Sequence, residues 1–282
     1  MRNQLIRSVA LGALIAGPAM GADMPVYKGP PPPVAVSSWS GCYIGVAGGW
    51  IASRVTHDRA PTDGLAAIVG PVETAAATAS TGARSSAGII GGTVGCNMQT
   101  GVVVFGVEGD WSWTGAKNSF NENFPATLGG GFSLRTETGS VNSDWLSTLR
   151  GRLGLLVSPN LLLYVTGGLA IGHFDSSFNI LTANGSNWAG SASTIRTGAV
   201  IGGGGEWALS NSCSSCGGWS LKAEYLYVDF GKYSFAAPNV SVLGGAANPA
   251  VNNWTSTVRA SEQIVRVGLN YKFSGGAVSA RY

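Results

Sequence analysis

A two-residue alternation that separates charge from grease constrains this chain more than any other feature. Between Val102 and Ser112, Val103, Phe105, Val107 and Trp111 share one parity, while Glu108 and Asp110 take the other. Between Asp144 and Val157, Leu149, Leu153, Leu155 and Val157 oppose Arg150 and Arg152. From Trp219 to Val228, Trp219, Leu221, Ala223, Tyr225 and Tyr227 oppose Lys222 and Glu224. From Ile264 to Phe273, Val265, Val267, Leu269, Tyr271 and Phe273 oppose Arg266 and Lys272. Successive side chains of a β-strand point to opposite faces, so each segment is predicted to be a strand with one apolar and one ionised face.

Eight such segments are predicted, at 41–53, 86–98, 102–114, 144–157, 160–173, 194–209, 218–229 and 261–273. Each reaches the ~9 to 11 residues that a tilted strand needs to cross a bilayer. Short links at 99–101, 158–160 and 210–217 alternate with long polar stretches at 54–85, 115–143, 174–193 and 230–260. An even number of antiparallel strands with short turns on one side and long loops on the other is the plan of a transmembrane β-barrel. A lipid-facing charge at mid-bilayer costs ~2 to 4 kcal/mol. The ionised side chains Glu108, Asp110, Arg150, Arg152, Glu206, Lys222, Glu224, Arg266 and Lys272 all sit opposite the apolar face, and only Asp229, at a strand end, breaks the parity. A soluble ligand-binding barrel would show the reverse, with its apolar face inside. The apolar face is therefore predicted to meet lipid. Trp50, Trp111, Trp113, Trp145, Trp207, Trp219, Tyr225, Tyr271 and Phe273 cluster at segment ends, where amphipathic rings settle at a membrane interface.

The predicted fold class is therefore all-β, an eight-stranded antiparallel transmembrane barrel with short periplasmic turns and long extracellular loops. Composition removes the competitors. Only 11% of the 282 residues are charged and there are 9 Trp, 8 Tyr and 9 Phe, which is not the profile of a disordered chain. Past residue 22 no apolar run approaches the ~18 to 20 residues of a spanning helix. A net charge of +3 offers no basic footprint for nucleic acid. Arg2, Arg7, the apolar stretch Val9–Gly17 and the small residues around Ala19–Gly21 predict a secretory signal peptide over 1–21. Its removal leaves an almost neutral chain. Pro25 and the run Pro30–Pro33 predict an extended periplasmic linker over 22–38. The barrel is placed at 39–273 and a tail at 274–282.

Export makes disulfides permissible. Cys42 and Cys96 fall near the turn-side ends of neighbouring strands on the same outward face, a candidate cross-strand pair. Cys213 and Cys216 flank two serines in a Ser/Gly cluster, which predicts a small structural loop rather than a redox or zinc site. No metal or cofactor is expected. Eight strands leave a lumen just wide enough for side chains to fill. The nine lumen charges are expected to pair across it, with Gly45, Gly49, Gly106, Gly154, Gly168, Gly202 and Gly204 making room. That ladder is either structural packing or the lining of a narrow solute path. His173 lies beside Asp175 and Ser176, but proximity along an extended chain does not assemble a catalytic pair, and His57 sits in an Ala/Thr-rich stretch with no assigned role. No catalytic residue is expected.

The last strand, Arg266 to Phe273, resembles the C-terminal assembly signal of outer-membrane barrels through Gly268, Tyr271 and Phe273. Four further stretches, Gly41–Gly45, Phe105–Trp111, Leu221–Gly231 and Ala280–Tyr282, resemble the alpha-proteobacterial outer membrane immunogenic protein family, whose barrels are OmpA-like, and so does the Asp23–Lys28 start ahead of the proline run. The resemblance covers nearly the whole mature chain. It implies an abundant surface antigen of the Gram-negative outer membrane that supports envelope integrity, although some relatives are described as porins. Two departures are the nine residues after Phe273 and the Cys213/Cys216 insertion. Membership implies outer-membrane lipid and lipopolysaccharide as surroundings, and periplasmic chaperones and the barrel-assembly machinery as partners in biogenesis.

Overall fold

The computed structural model describes residues 38–63, 79–124, 135–182, 185–209, 218–241 and 252–273. The predicted signal peptide, the linker as far as residue 37, the tail, and Cys213 with Cys216 lie outside the described residues. Among the described residues nine strands follow one another: β1 (Gly41–Asp63), β2 (Ala79–Thr100), β3 (Val103–Phe124), β4 (Arg135–Ser158), β5 (Leu161–Thr182), β6 (Asn187–Ala208), β7 (Gly218–Ala237), β8 (Asn239–Ser241) and β9 (Asn252–Lys272). Eight are long. The three-residue β8 follows β7 past Pro238 and pairs with β6. Every pairing is antiparallel between neighbours, β9 pairs with both β1 and β7, and β5 pairs with β6, so the sheet closes on itself. Closure removes the unpaired edges that an open sheet would present. At the β2–β3 turn Gly101 adopts φ +62°, a left-handed conformation that glycine takes without steric cost.

The strands are longer than the predicted segments. β1 continues ten residues past 53, β5 nine past 173, and β9 begins nine before 261. Much of what the polar composition assigned to loops is therefore wall. The alternation does not stop at the predicted boundaries; it changes sides. Val55 and His57 on β1, Phe174 and Phe178 on β5, and Val258 on β9 all point inward and are buried. Their outward neighbours there, Arg54, Thr56, Ser177 and Arg259, are polar. Outward grease is concentrated from Ile44 to Trp50 on β1, Phe105 to Trp113 on β3, Leu163 to Ile171 on β5 and Val265 to Leu269 on β9, with Leu181 and Val240 as isolated exposed apolar residues beyond it. That band faces hydrocarbon. Beyond it the wall faces water, and the ladder needs no apolar exterior to persist. Asp229 fits this division: it faces outward just past Tyr227, beyond the band, and pairs with Arg259 at 2.8 Å. The β7–β9 register shifts between Asp229 and Lys232, where Gly231 adopts φ +69°.

The interior is filled along its length. Trp39, Val104, Leu162 and Tyr164 close the short-turn end, with the Trp39 backbone N–H donating to Gln99 Oε1 at 2.7 Å. An ionic layer follows at the depth of the outward apolar band. Past it comes an apolar cluster that includes Ile51, Phe174, Leu226, Phe230 and Ile264. A second cluster, Phe178, Ile180, Trp188, Ala237 and Trp254, fills the long-loop end.

Cys42 and Cys96 are directly opposed in the β1–β2 register, exposed on the outer face near the short-turn end, and joined by a disulfide. The bond links positions 54 residues apart. Constraining an unfolded chain over a loop of that size contributes about 2–4 kcal/mol. A Cys42→Ala/Cys96→Ala variant is expected to reach the same folded gel mobility and to lose that amount in equilibrium urea unfolding. Equal midpoints would show that the bond adds nothing to stability.

Candidate functional site

The ionic layer is built by register. Six of its charged side chains stand directly across the ladder from a glycine: Glu108 from Gly95, Arg150 from Gly168, Arg152 from Gly106, Lys222 from Gly268, Glu224 from Gly204 and Arg266 from Gly49. The space is required. A Cβ at Gly49 would lie 2.6 Å from Arg266 Cα, and one at Gly168 would lie 2.8 Å from Arg150 Cα. Long side chains on one strand thus lie over bare backbone on the next, and a narrow lumen admits eight of them.

Arg150, 1% exposed, is the hub. One guanidinium nitrogen donates to Asp110 Oδ2 at 2.9 Å and also bonds Glu108; the other donates to Glu224 Oε2 at 3.1 Å. Arg266 joins the same acids from β9, at 2.7 Å to Asp110 and 2.5 Å to Glu224. Lys222 Nζ lies 3.0 Å from both Glu108 oxygens. Toward the short-turn end, Arg152 donates to Glu206 at 2.8 Å and to the Tyr43 hydroxyl at 2.9 Å, with its guanidinium 4.1 Å from the Tyr164 ring centre. Ser220 and Asn270 donate to the remaining Glu206 oxygen, and Thr148 donates to Asp110. Four carboxylates meet four cations, and each carboxylate also accepts at least one neutral hydrogen bond. Charges buried this way are tolerated because pairing and hydrogen bonding together replace the lost hydration.

The structure brings together Glu108, Asp110, Arg150, Arg152, Glu206, Lys222, Glu224 and Arg266, and leaves Lys272 out. Lys272 lies half-buried at the short-turn mouth and donates to the Ser38 carbonyl. It sits at the last position of β9, where the lumen opens. Of the residues that resemble an assembly signal, Gly268 faces Lys222 across the ladder, while Tyr271 packs between Trp219 and Phe273 with ring centres 5.1 and 5.6 Å apart.

Sequence reasoning missed several participants. Tyr43 donates to Glu108 Oε2 at 2.5 Å and Tyr164 to Glu224 Oε2 at 3.1 Å. Tyr43 shares the parity of Gly45, and Tyr164 that of Gly168, so parity could have found both. Glu262, fully buried on the Arg266 parity, has no cationic partner among the described residues and faces Ser143 of the opposite wall. Beyond the apolar band, His57 bonds Ser256 and lies 4.9 and 4.8 Å from the rings of Phe120 and Phe178, while Arg59 pairs with Glu137. Burial and the neighbouring Arg59 push the His57 pKa down to about 4, so its ring is neutral at neutral pH. His57 therefore has a structural place that its local composition did not indicate.

His173 does not engage Ser176, which points inward and bonds the Tyr233 hydroxyl at 2.6 Å. It faces out, with Nδ1 3.2 Å from Asp144 Oδ2 and 3.9 Å from Asp175 Oδ2, and Nε2 3.1 Å from Ser193 Oγ. A register shift in β4 between Ser143 and Leu146 turns both Asp144 and Trp145 outward beside it.

Removing one member of a buried ion cluster strands the others, at a cost of about 3–5 kcal/mol. Arg150→Ala is expected to lose at least that in urea unfolding. Glu262→Gln removes a carboxylate that has no counter-ion, and is expected to hold or raise the midpoint at pH 8. A loss from Glu262→Gln matching that from Arg150→Ala would contradict the difference in pairing.

The family model described as outer membrane protein beta-barrel domain matches residues 13–273. The 31 kDa outer-membrane immunogenic protein of Brucella melitensis biotype 1 is 31% identical over 280 residues, covering 97% of this chain and all of that one, and its counterpart in Brucella suis biovar 1 matches equally. Among solved structures, the attachment invasion locus protein Ail of Yersinia pestis is 12% identical with a TM-score of 0.30, covering 82% of this chain and 99% of that one. The outer membrane protease OmpT of Escherichia coli is 9% identical with a TM-score of 0.40, covering 83% and 97%. The apolar exterior, the ionic interior and the near full-length match to two immunogenic proteins agree: the chain belongs to the outer membrane β-barrel protein family.

Proposed function

We propose that this protein is a structural barrel of the outer membrane, which reinforces the envelope and displays its long-loop end at the cell surface. In this reading the N-terminus lies in the periplasm. The exported chain passes through periplasmic chaperones to the barrel-assembly machinery, which reads Gly268, Tyr271 and Phe273. The observation that carries the reading is the filled lumen. Arg150, Glu108, Asp110 and Glu224 meet at the axis with almost no exposure, and apolar clusters occupy the lumen on both sides of them. A solute would have to break several charge-assisted hydrogen bonds to pass, whereas an inert wall benefits from a rigid, cross-braced interior. The alternative, a narrow porin, requires these contacts to part.

The reading includes no reaction and no cofactor. Esterase and protease assays on the refolded barrel are expected to return the same background for the wild type and for His173→Ala. Planar bilayers containing the purified protein are expected to stay silent, and cells lacking it to become more sensitive to detergent. Reproducible conductance that changes in Arg150→Ala or Arg266→Ala would replace the structural reading with the porin.

A further inference from the structure

Just past the apolar band, at the long-loop end, the outer wall carries an uneven charge. On β1 and β2, Arg54 and Arg84 are directly opposed in register, both exposed. On β7 and β9, Lys232 and Arg259 are directly opposed as well, both exposed. Like charges facing each other across a ladder are destabilising. Arg259 is relieved by Asp229 at 2.8 Å. Arg54, Arg84 and Lys232 have no ionic or hydrogen-bond partner among the described residues. The two pairs are contiguous: Arg54 opposes Ser261 and Arg259 opposes Thr56, so the two arginines are diagonal neighbours across β1 and β9, about 7–8 Å apart at Cα. Lys117, exposed on β3, extends the same side. Asp58 lies two pairs farther from the band than Thr56. The β4–β5 wall carries Asp144 and Asp175 at its own band edge instead.

The height of this arc is set by the band. Arg54 lies four residues beyond Trp50, about 13 Å along a strand that rises about 3.3 Å per residue. Strand tilt shortens that toward the depth of a headgroup layer, and a long arginine side chain reaches back the rest of the way. Three of these four cations have no protein counter-ion among the described residues, and beside a hydrocarbon-facing surface they call for an anion that is itself tied to the membrane.

We propose that Arg54, Arg84, Lys232 and Arg259 form a binding site for the phosphate groups of an anionic lipid in the outer leaflet. The assignment of the leaflet rests on the proposed orientation; the binding itself does not. Guanidinium groups suit phosphate because their fork-like donors match its oxygens. The cross-strand repulsion is then relieved by the lipid, and the lipid is held on one side of the barrel only.

The test uses the full barrel refolded in detergent, with lipid A carrying both phosphates, the same lipid dephosphorylated, and inorganic phosphate as probes. Retention is read by native mass spectrometry. The wild type is expected to keep the phosphorylated lipid in preference to the dephosphorylated form and to keep no inorganic phosphate. Arg54→Ser/Arg84→Ser, at exposed positions that leave the core intact, is expected to weaken retention about 30-fold, the effect of two cations at a charged lipid surface. Its heat-modifiable gel shift checks that it has folded, and Lys232→Ser supplies a second variant if it has not. Equal retention of both lipids, or no loss in the folded variants, overturns the proposal. So does a soluble sulfated oligosaccharide that needs the same arginines while lipid retention does not. Whole cells bearing Ser177→Cys, an exposed position beyond the band on β5 and outside the site, labelled with an impermeant maleimide, read the orientation separately. No labelling alongside intact retention would overturn the outer-leaflet assignment and the surface orientation while leaving a phosphate site.

Discussion

A charge sealed inside a narrow barrel has no water to answer it, and the rest of this structure follows from that constraint. Four carboxylates and four cations share a space eight strands wide, with Arg150 bonded to three of the carboxylates at once. Such a cluster forms only if every member arrives at the right height, which the register decides. The ladder must therefore be long, closed and free of slips through this layer. Pairing between β3 and β4 is continuous from Val103 to Trp113, and between β7 and β9 from Gly218 to Asp229. The register shifts at Trp113/Ala116 and Asp229/Lys232 fall only beyond it. A one-residue slip would turn Glu108 toward lipid and Val107 into the lumen. The ion cluster thus rejects wrong registers as strongly as it holds the correct one.

The inward glycines belong to the same constraint. Interior volume is fixed by strand number, so an arginine on one strand is accommodated by removing a side chain from the next. Gly49 opposite Arg266 and Gly204 opposite Glu224 make that exchange, and a Cβ at either would meet the opposing strand's backbone oxygen within 2.3 Å. Glycine weakens an isolated strand. Here the loss is offset by the ion pairs it admits and by closure, which gives each of the eight long strands two neighbours.

The barrel class, the strand polarity and the ionic face were legible because membrane burial imposes the period-two separation of charge directly on the sequence. The disulfide was legible in the same way, from two cysteines of one parity at one end. The upper half of the wall was not. There the outward residues, such as Arg54, Thr56 and Arg259, look like loop composition, and the apolar residues that identify strand, such as Val55, Phe174 and Val258, face inward. Tyr43 and Tyr164 were missed for another reason. An inward tyrosine carries no formal charge, so an inventory of ionised residues passes over hydroxyls that complete the coordination of Glu108 and Glu224. Lys272 was placed in the cluster by parity alone, whereas height separates it.

One sheet in this protein therefore works in two solvents. Within the apolar band it is inverted, with grease outside and ions inside, because lipid penalises exposed charge and the sealed lumen lets charges find each other. Past the band the outside turns polar, and the inside becomes an ordinary apolar core built from Val55, Phe174, Phe178 and Trp254. The changeover occurs within single strands, without a break in hydrogen bonding, because a strand offers each face to its surroundings independently. Glu262 marks the junction on β9, four residues from Arg266 and two from Ala260. It keeps the inward parity of the ionic layer, yet its neighbours Ala260 and Ile264 already belong to the apolar one. Among the described residues no cation stands beside it, at a boundary where the alternation is continuous but the chemistry it carries is not.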